Sequence, residues 1–212
     1  MDYMYCERTT NYLFAEPLNA ISNLFFIISA YVLKRKHNVK DNIFSYLIYF
    51  IGISSFFWHI FNNNLTAFLD TLSIILFISI YLFRFYYRIF KLSYLSSIFL
   101  ITFFIIFSIL FSAVFNSSVI GSSSFYLPIL SHLFLNYLLL KLKVPTLIQL
   151  KSLLYASLIF SISIILRYID EFICTNFIYG THFLWHGLNS IVLYLVCNFM
   201  LVTDRSSPKK PS

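Results

Sequence analysis

Seven runs of about 20 predominantly apolar residues occupy nearly the whole of this chain, and a helix of that length spans the roughly 30 Å of hydrocarbon in a bilayer. Lipid offers a backbone N–H or C=O no partner outside protein, so each run must be a helix or a strand of a closed barrel. The long aliphatic stretches lack the two-residue alternation of barrel strands, which leaves helices. They are expected over Pro17–Leu33, Ile43–Phe61, Thr66–Phe83, Leu92–Phe115, Val119–Leu140, Leu147–Leu166 and His182–Val202. Of 212 residues 59% are hydrophobic and 11% charged, too few polar side chains to clothe a water-soluble globule. The fold class is therefore all-α: an integral membrane bundle of seven transmembrane helices. It forms one domain over residues 1–203, followed by a short polar tail at 204–212. Lys151 interrupts the start of the sixth run, and Pro128 predicts a local kink in the fifth.

The connecting segments alternate in charge. Lys34, Arg35, Lys36 and Lys40 follow the first run, Arg84, Arg88 and Lys91 the third, Lys141, Lys143 and Lys151 the fifth, and Arg205, Lys209 and Lys210 the seventh. By the positive-inside rule these ends are cytoplasmic, which puts the N-terminus outside and the C-terminus inside and requires an odd number of crossings. The same clustering accounts for the net charge of +7 without nucleic acid as a partner, and no protein partner is implied. The segment Met1–Phe14 opens with Asp2 and Glu7 rather than a basic patch and an apolar run, so no cleavable signal is expected. Only 4 Gly and 5 Pro, with no inverted repeat, weigh against the broken helices of many secondary transporters.

Ionisable groups within the spans are few, and each is costly in lipid. His59 lies near the outer end of the second run, with Ser55 one turn deeper on the same face, and Asp70 enters at the outer start of the third. His182 and His186 form an H-x-x-x-H pair at the outer start of the seventh. A lone intramembrane His is ordinarily a packing hydrogen-bond donor. Three at one depth, with Asp70 and Ser55, instead supply the three nitrogens of a catalytic zinc, leaving a fourth position open for water. Asp70 is then placed to accept a proton and Ser55 to donate to an oxyanion, chemistry suited to an amide or ester arriving from lipid. His132, without a polar neighbour in sequence, reads as a packing residue, and His37 as a solvated loop residue. Trp58 and Trp185 need no role beyond the aromatic belt of the membrane boundary.

The segments Tyr5-Cys6-Glu7-Arg8, Ala15-Glu16-Pro17-Leu18-Asn19-Ala20-Ile21-Ser22-Asn23, Ser55-Phe56-Phe57-Trp58-His59 with Asp70 eleven residues on, and Gly180-Thr181-His182-Phe183-Leu184-Trp185-His186 together resemble the alkaline ceramidase family, in the style of its bacterial members. The resemblance implies zinc on His59, His182 and His186, Asp70 acting on the water that the metal activates, and Ser55 stabilising the transition state. It also implies hydrolysis of the amide of ceramide, a membrane lipid. Animal members carry a calcium site built from an Asp-Trp-Cys-Glu-x-Asn run and a later Glu. Here Glu7 and Glu16 match, whereas Met4, Tyr5 and Thr9 replace the Asp, Trp and Asn, so calcium on Glu7 and Glu16 is a further expectation. The family pattern also supports a disulfide between Cys6 and Cys174, both on the outer side, with Cys197 a free buried thiol. Asp170 either orients a zinc histidine or is a solvated helix-end charge.

The expectation is a zinc-dependent integral-membrane amidohydrolase for ceramide or a related N-acyl lipid. Its site would face the periplasm from a bacterial inner membrane, or the lumen of the endoplasmic reticulum or Golgi elsewhere. Two other classes stay open: a seven-helix lipid receptor or sensor with structural zinc, and a proton-coupled transporter.

Overall fold

The computed structural model describes residues 5–10, 12–37, 42–115, 121–143 and 149–206. Asp2, Met4, Lys40, Lys209 and Lys210, and the anticipated starts of the fifth and sixth spans at Val119 and Leu147, lie outside them. The described residues form an all-helical bundle: α1 (Pro17–Ser22), α2 (Leu24–His37), α3 (Ile43–Phe61), α4 (Asn64–Arg84), α5 (Tyr94–Phe115), α6 (Tyr126–Lys143), α7 (Leu150–Ile169) and α8 (His182–Ser206). With α1 and α2 counted as one crossing, seven helical segments among the described residues are long and apolar enough to span a membrane.

The helices overrun the hydropathy limits because polar residues continue them. α4 passes into a π-helical turn at Phe85–Ile89, and α7 into a 3-10 turn at Asp170–Phe172. α8 continues through Asp204 to Ser206. Pro128 does not kink a span in its middle. It is the third residue of α6, directly after a 3-10 turn at Gly121–Phe125, and in a first turn its missing N–H would have had no intrahelical partner.

α8 packs against α7, α2 and α1, and α3 pairs with α4 and α2. At Gly52 the approach of α2 is close enough that a Cβ would stand 3.0 Å from Phe26 Cβ and 3.2 Å from the Asn23 carbonyl oxygen. The half of the bundle that carries the basic chain ends is sealed by Leu33, Phe44, Phe85, Leu153, Phe199 and Met200, all fully buried. α5 buries only Ser97, Ile101 and Ser108, and side chains such as Phe99, Phe103, Ile106 and Phe107 face outward, as on a peripheral helix in lipid. His37 is not solvated: it is buried, with Nε2 3.1 Å from Asn198 Oδ1.

Candidate metal centre

Three local structures bring polar side chains to one end of the bundle. The first is the α3–α4 hairpin. Asn62 ends α3 in a left-handed conformation (φ 43°, ψ 52°), which asparagine tolerates, and donates its N–H to the Trp58 carbonyl. Asn63 then caps α4, its side chain accepting from Thr66 N while Thr66 Oγ1 accepts from Asn63 N. This two-residue turn sets His59 at the end of one helix beside Asp70, two turns into the next.

The second is the start of α8. Asp170 is fully buried, and its Oδ1 accepts the backbone N–H groups of Thr181 (2.5 Å) and His182 (2.8 Å) while Oδ2 accepts that of Cys6 (3.1 Å). It is thus a buried cap that fixes the backbone of a histidine, not a solvated charge. Gly180 has φ +61°, and a Cβ there would overlap Asp170 Oδ1, so the cap requires glycine. A Cys6–Cys174 disulfide, with Cα atoms 4.9 Å apart, ties the N-terminal segment to the same loop; Cys197 is free and buried.

The third is the N-terminal segment itself. Glu7 accepts the N–H groups of Leu18 (2.6 Å) and Asn19 (2.8 Å) at the start of α1, where Pro17 holds the first helical position. Arg8, also buried, is ion-paired with Glu16 and donates from Nη2 to the His59 carbonyl at 3.0 Å. Burial alone would raise the Glu16 carboxyl, but the hydrogen bond from His59 and the adjacent Arg8 guanidinium outweigh it and hold the group below the usual carboxylate range.

His59, His182 and His186, all buried, converge so that one ligand atom from each lies within 4.8 Å of the others. The hydrogen bonds fix two tautomers. His59 Nδ1 donates to Glu16 Oε2 at 2.5 Å, which leaves a lone pair on Nε2. Ser22 Oγ gives its only hydrogen to the Asn19 carbonyl (2.7 Å) and therefore accepts from His186 Nδ1 (2.7 Å), which leaves the His186 Nε2 lone pair free as well. These two Nε2 atoms face each other at 3.3 Å. Two nitrogens each about 2.0–2.1 Å from one tetrahedral zinc stand about 3.3 Å apart, so the spacing and the tautomers both fit a shared cation. His182 completes the group, its ring stacked on Tyr5 at 3.8 Å and its Nδ1 3.5 Å from Arg167 Nη1.

Asp70 Oδ1 is buried without a hydrogen-bond partner among the described residues, and Asp70 and Ser55 line the same cavity as His182 and His186. A carboxylate oxygen with no partner, lining the same cavity as two of the three histidines, is a group that could accept a proton there. The cavity measures about 430 Å³, within the range of small-molecule sites, and its walls are largely apolar.

A family model described as ceramidase matches residues 2–211. The chain belongs to the ceramidase family. No individual curated protein matches it. Membership of the ceramidase family gives the convergent histidines a chemical context, and the seven apolar helices make this member a multi-pass integral membrane protein.

The calcium site known from animal members of the alkaline ceramidase family does not fit these residues. Both oxygens of Glu7 go to backbone N–H groups, and those of Glu16 go to Arg8, His59 and Asn19. The Arg8 guanidinium is the cation that offsets Glu16. Four contributors were not assigned to the metal centre from the sequence: Ser22, Arg8, Tyr5 and Arg167, the last lying over the rings of Tyr5, Tyr126 and Trp185 at 5.7, 5.5 and 5.3 Å. Trp185 is buried in that cluster rather than placed in a boundary belt, and His132 does have a polar partner, with Nε2 2.8 Å from Tyr86 Oη.

Proposed function

We propose that the protein is a zinc-dependent integral-membrane amidohydrolase that cleaves ceramide or a related N-acyl lipid. The observation that carries the reading is the pair of facing Nε2 atoms of His59 and His186, 3.3 Å apart, next to a largely apolar cavity that His182, His186 and Asp70 line. His59, His182 and His186 would hold the ion. Bound there, zinc supplies Lewis acidity, lowering the pKa of water toward about 7 and polarising a carbonyl.

The chain's own residues do the rest. Glu16 and Ser22 hold the two imidazoles in the tautomer that presents Nε2. Asp70 takes the proton of the attacking water and returns it to the departing amine, and Ser55 donates to the oxygen that becomes negative. The apolar walls take the acyl chain and exclude bulk water from the reacting bond. The basic ends of α2, α4 and α6 lie opposite the histidines along the chain's crossings, which supports an outward or lumenal site with the N-terminus on that side.

The test is turnover of a fluorescent ceramide by purified wild type and Asp70→Asn. The substitution is expected to lower turnover by about 10²–10⁴-fold while metal content is kept. Undiminished turnover would sink the assignment of Asp70. Zinc bound without turnover of any acyl lipid would favour a receptor, and lipid or ion flux that survives metal removal a transporter.

A further inference from the structure

The cavity does not end in hydrocarbon. Its lining includes Asp70, Ile74, Phe77, Ile129 and Val192, and also Tyr81, His132 and Asn136 together with Leu82, Leu133 and Val196. Tyr81 lies eleven residues past Asp70 on α4, about 17 Å along the helix axis, and the cavity-lining Val196 lies ten residues past His186 on α8, about 15 Å. His132 and Asn136 are one turn apart on α6 and share a face.

Two features separate this polar floor from ordinary packing. The Tyr81 side chain lines the cavity, and its buried hydroxyl has no hydrogen-bond partner among the described residues, a costly state for a polar group. His132 is held by Tyr86 Oη, in the π-helical turn that ends the third span, and its ring sits 4.7 Å from that of Phe104. Where Tyr86 donates to Nε2, the imidazole carries its proton on Nδ1, so the floor contains both donors and acceptors. A plain acyl terminus would leave the Tyr81 hydroxyl without a partner, whereas a neutral hydroxyl could both donate and accept there.

We propose that Tyr81, His132 and Asn136 form a second, polar subsite that recognises a hydroxyl carried on the long chain of the lipid, about 17 Å from the reacting bond. This rests on the proposed reading of the cavity as the acyl site, but not on hydrolysis taking place there.

The experiment measures equilibrium binding of two N-acyl sphingoid bases matched in acyl length, one with a hydroxyl near the far end of the acyl chain and one without, to the purified full chain. A third lipid, with the hydroxyl next to the amide, is the positional control. One net hydrogen bond predicts about three- to tenfold tighter binding of the far-hydroxylated lipid, and no such gain for the control. In Tyr81→Phe and in Asn136→Leu the ratio is expected to fall toward one. Equal binding of the first two lipids to wild type, or an advantage that persists in both variants, overturns the proposal and leaves a floor that holds water only. Hydrolysis is followed separately: a binding preference without turnover would contradict the hydrolase reading and leave the subsite standing.

Discussion

Ser22 Oγ lies 2.7 Å from His186 Nδ1 and, with its own hydrogen donated to the Asn19 carbonyl, accepts a hydrogen bond from the imidazole N–H. Glu16 does the same for His59 with a carboxylate, and the Arg8 guanidinium holds that carboxylate in place. Two helices that the chain reaches at opposite ends of its sequence are thereby tuned by one short segment, residues 7–22.

Glu16→Gln tests that arrangement. The substitution weakens the pairing with Arg8 and the basicity that the carboxylate lends to His59. Removing such an outer partner lowers metal affinity by about 10–100-fold. Competition against a chelator of known affinity reads this directly, and an unchanged affinity would separate Glu16 from the metal centre.

The same carboxylate predicts a pH dependence. Its folded-state pKa is held below the ordinary 4.5, so its stabilisation is present in full above that value and is lost as pH falls through the folded value. The difference in thermal unfolding between metal-free wild type and metal-free Glu16→Gln is expected to stay constant from neutral pH to about 4.5 and shrink below it. A difference that grows on acidification would reverse the sign of the argument.

Gly180→Ala is expected to be destabilising well out of proportion to one methyl group. The left-handed backbone costs a non-glycine residue about 1–2 kcal/mol, and the added Cβ displaces the Asp170 carboxylate that caps α8. A lowered unfolding temperature with weakened metal retention is the predicted pair of readouts. Stability equal to wild type would mean that the cap does not depend on this turn.

The seven crossings are legible in the sequence because membrane partition sums over some 20 side chains, and no single residue decides it. His59, Asp70, His182 and His186 stand out for a related reason, since each is expensive at its depth in lipid. The roles of Arg8, Ser22 and Asp170 are not legible that way. They depend on how an N-terminal segment with little periodicity folds over the bundle and on a disulfide between residues 168 apart in sequence. Pro128 shows the opposite failure: a proline predicts a kink only when it falls in a helix interior, and hydropathy cannot place the helix start closely enough to tell.

Replacing Cys6 and Cys174 together by serine is expected to leave the helices formed while loosening Tyr5 and Arg8 from the metal centre. A disulfide is worth about 2–4 kcal/mol, and a membrane bundle whose helices persist on unfolding should fall at the lower end. Slower metal loss in the double variant than in wild type would contradict the tie.

Metal content measured by elemental analysis on detergent-purified protein, wild type against His182→Ala, is the most direct test of the central claim. About one zinc per chain in wild type, lost together with ceramide hydrolysis in the variant, is the result predicted by the convergence of the three histidines and the 3.3 Å spacing of the His59 and His186 Nε2 atoms. Wild type purified without chelator that carries no zinc and none on addition would contradict it, and would return His59, His182 and His186 to helix packing.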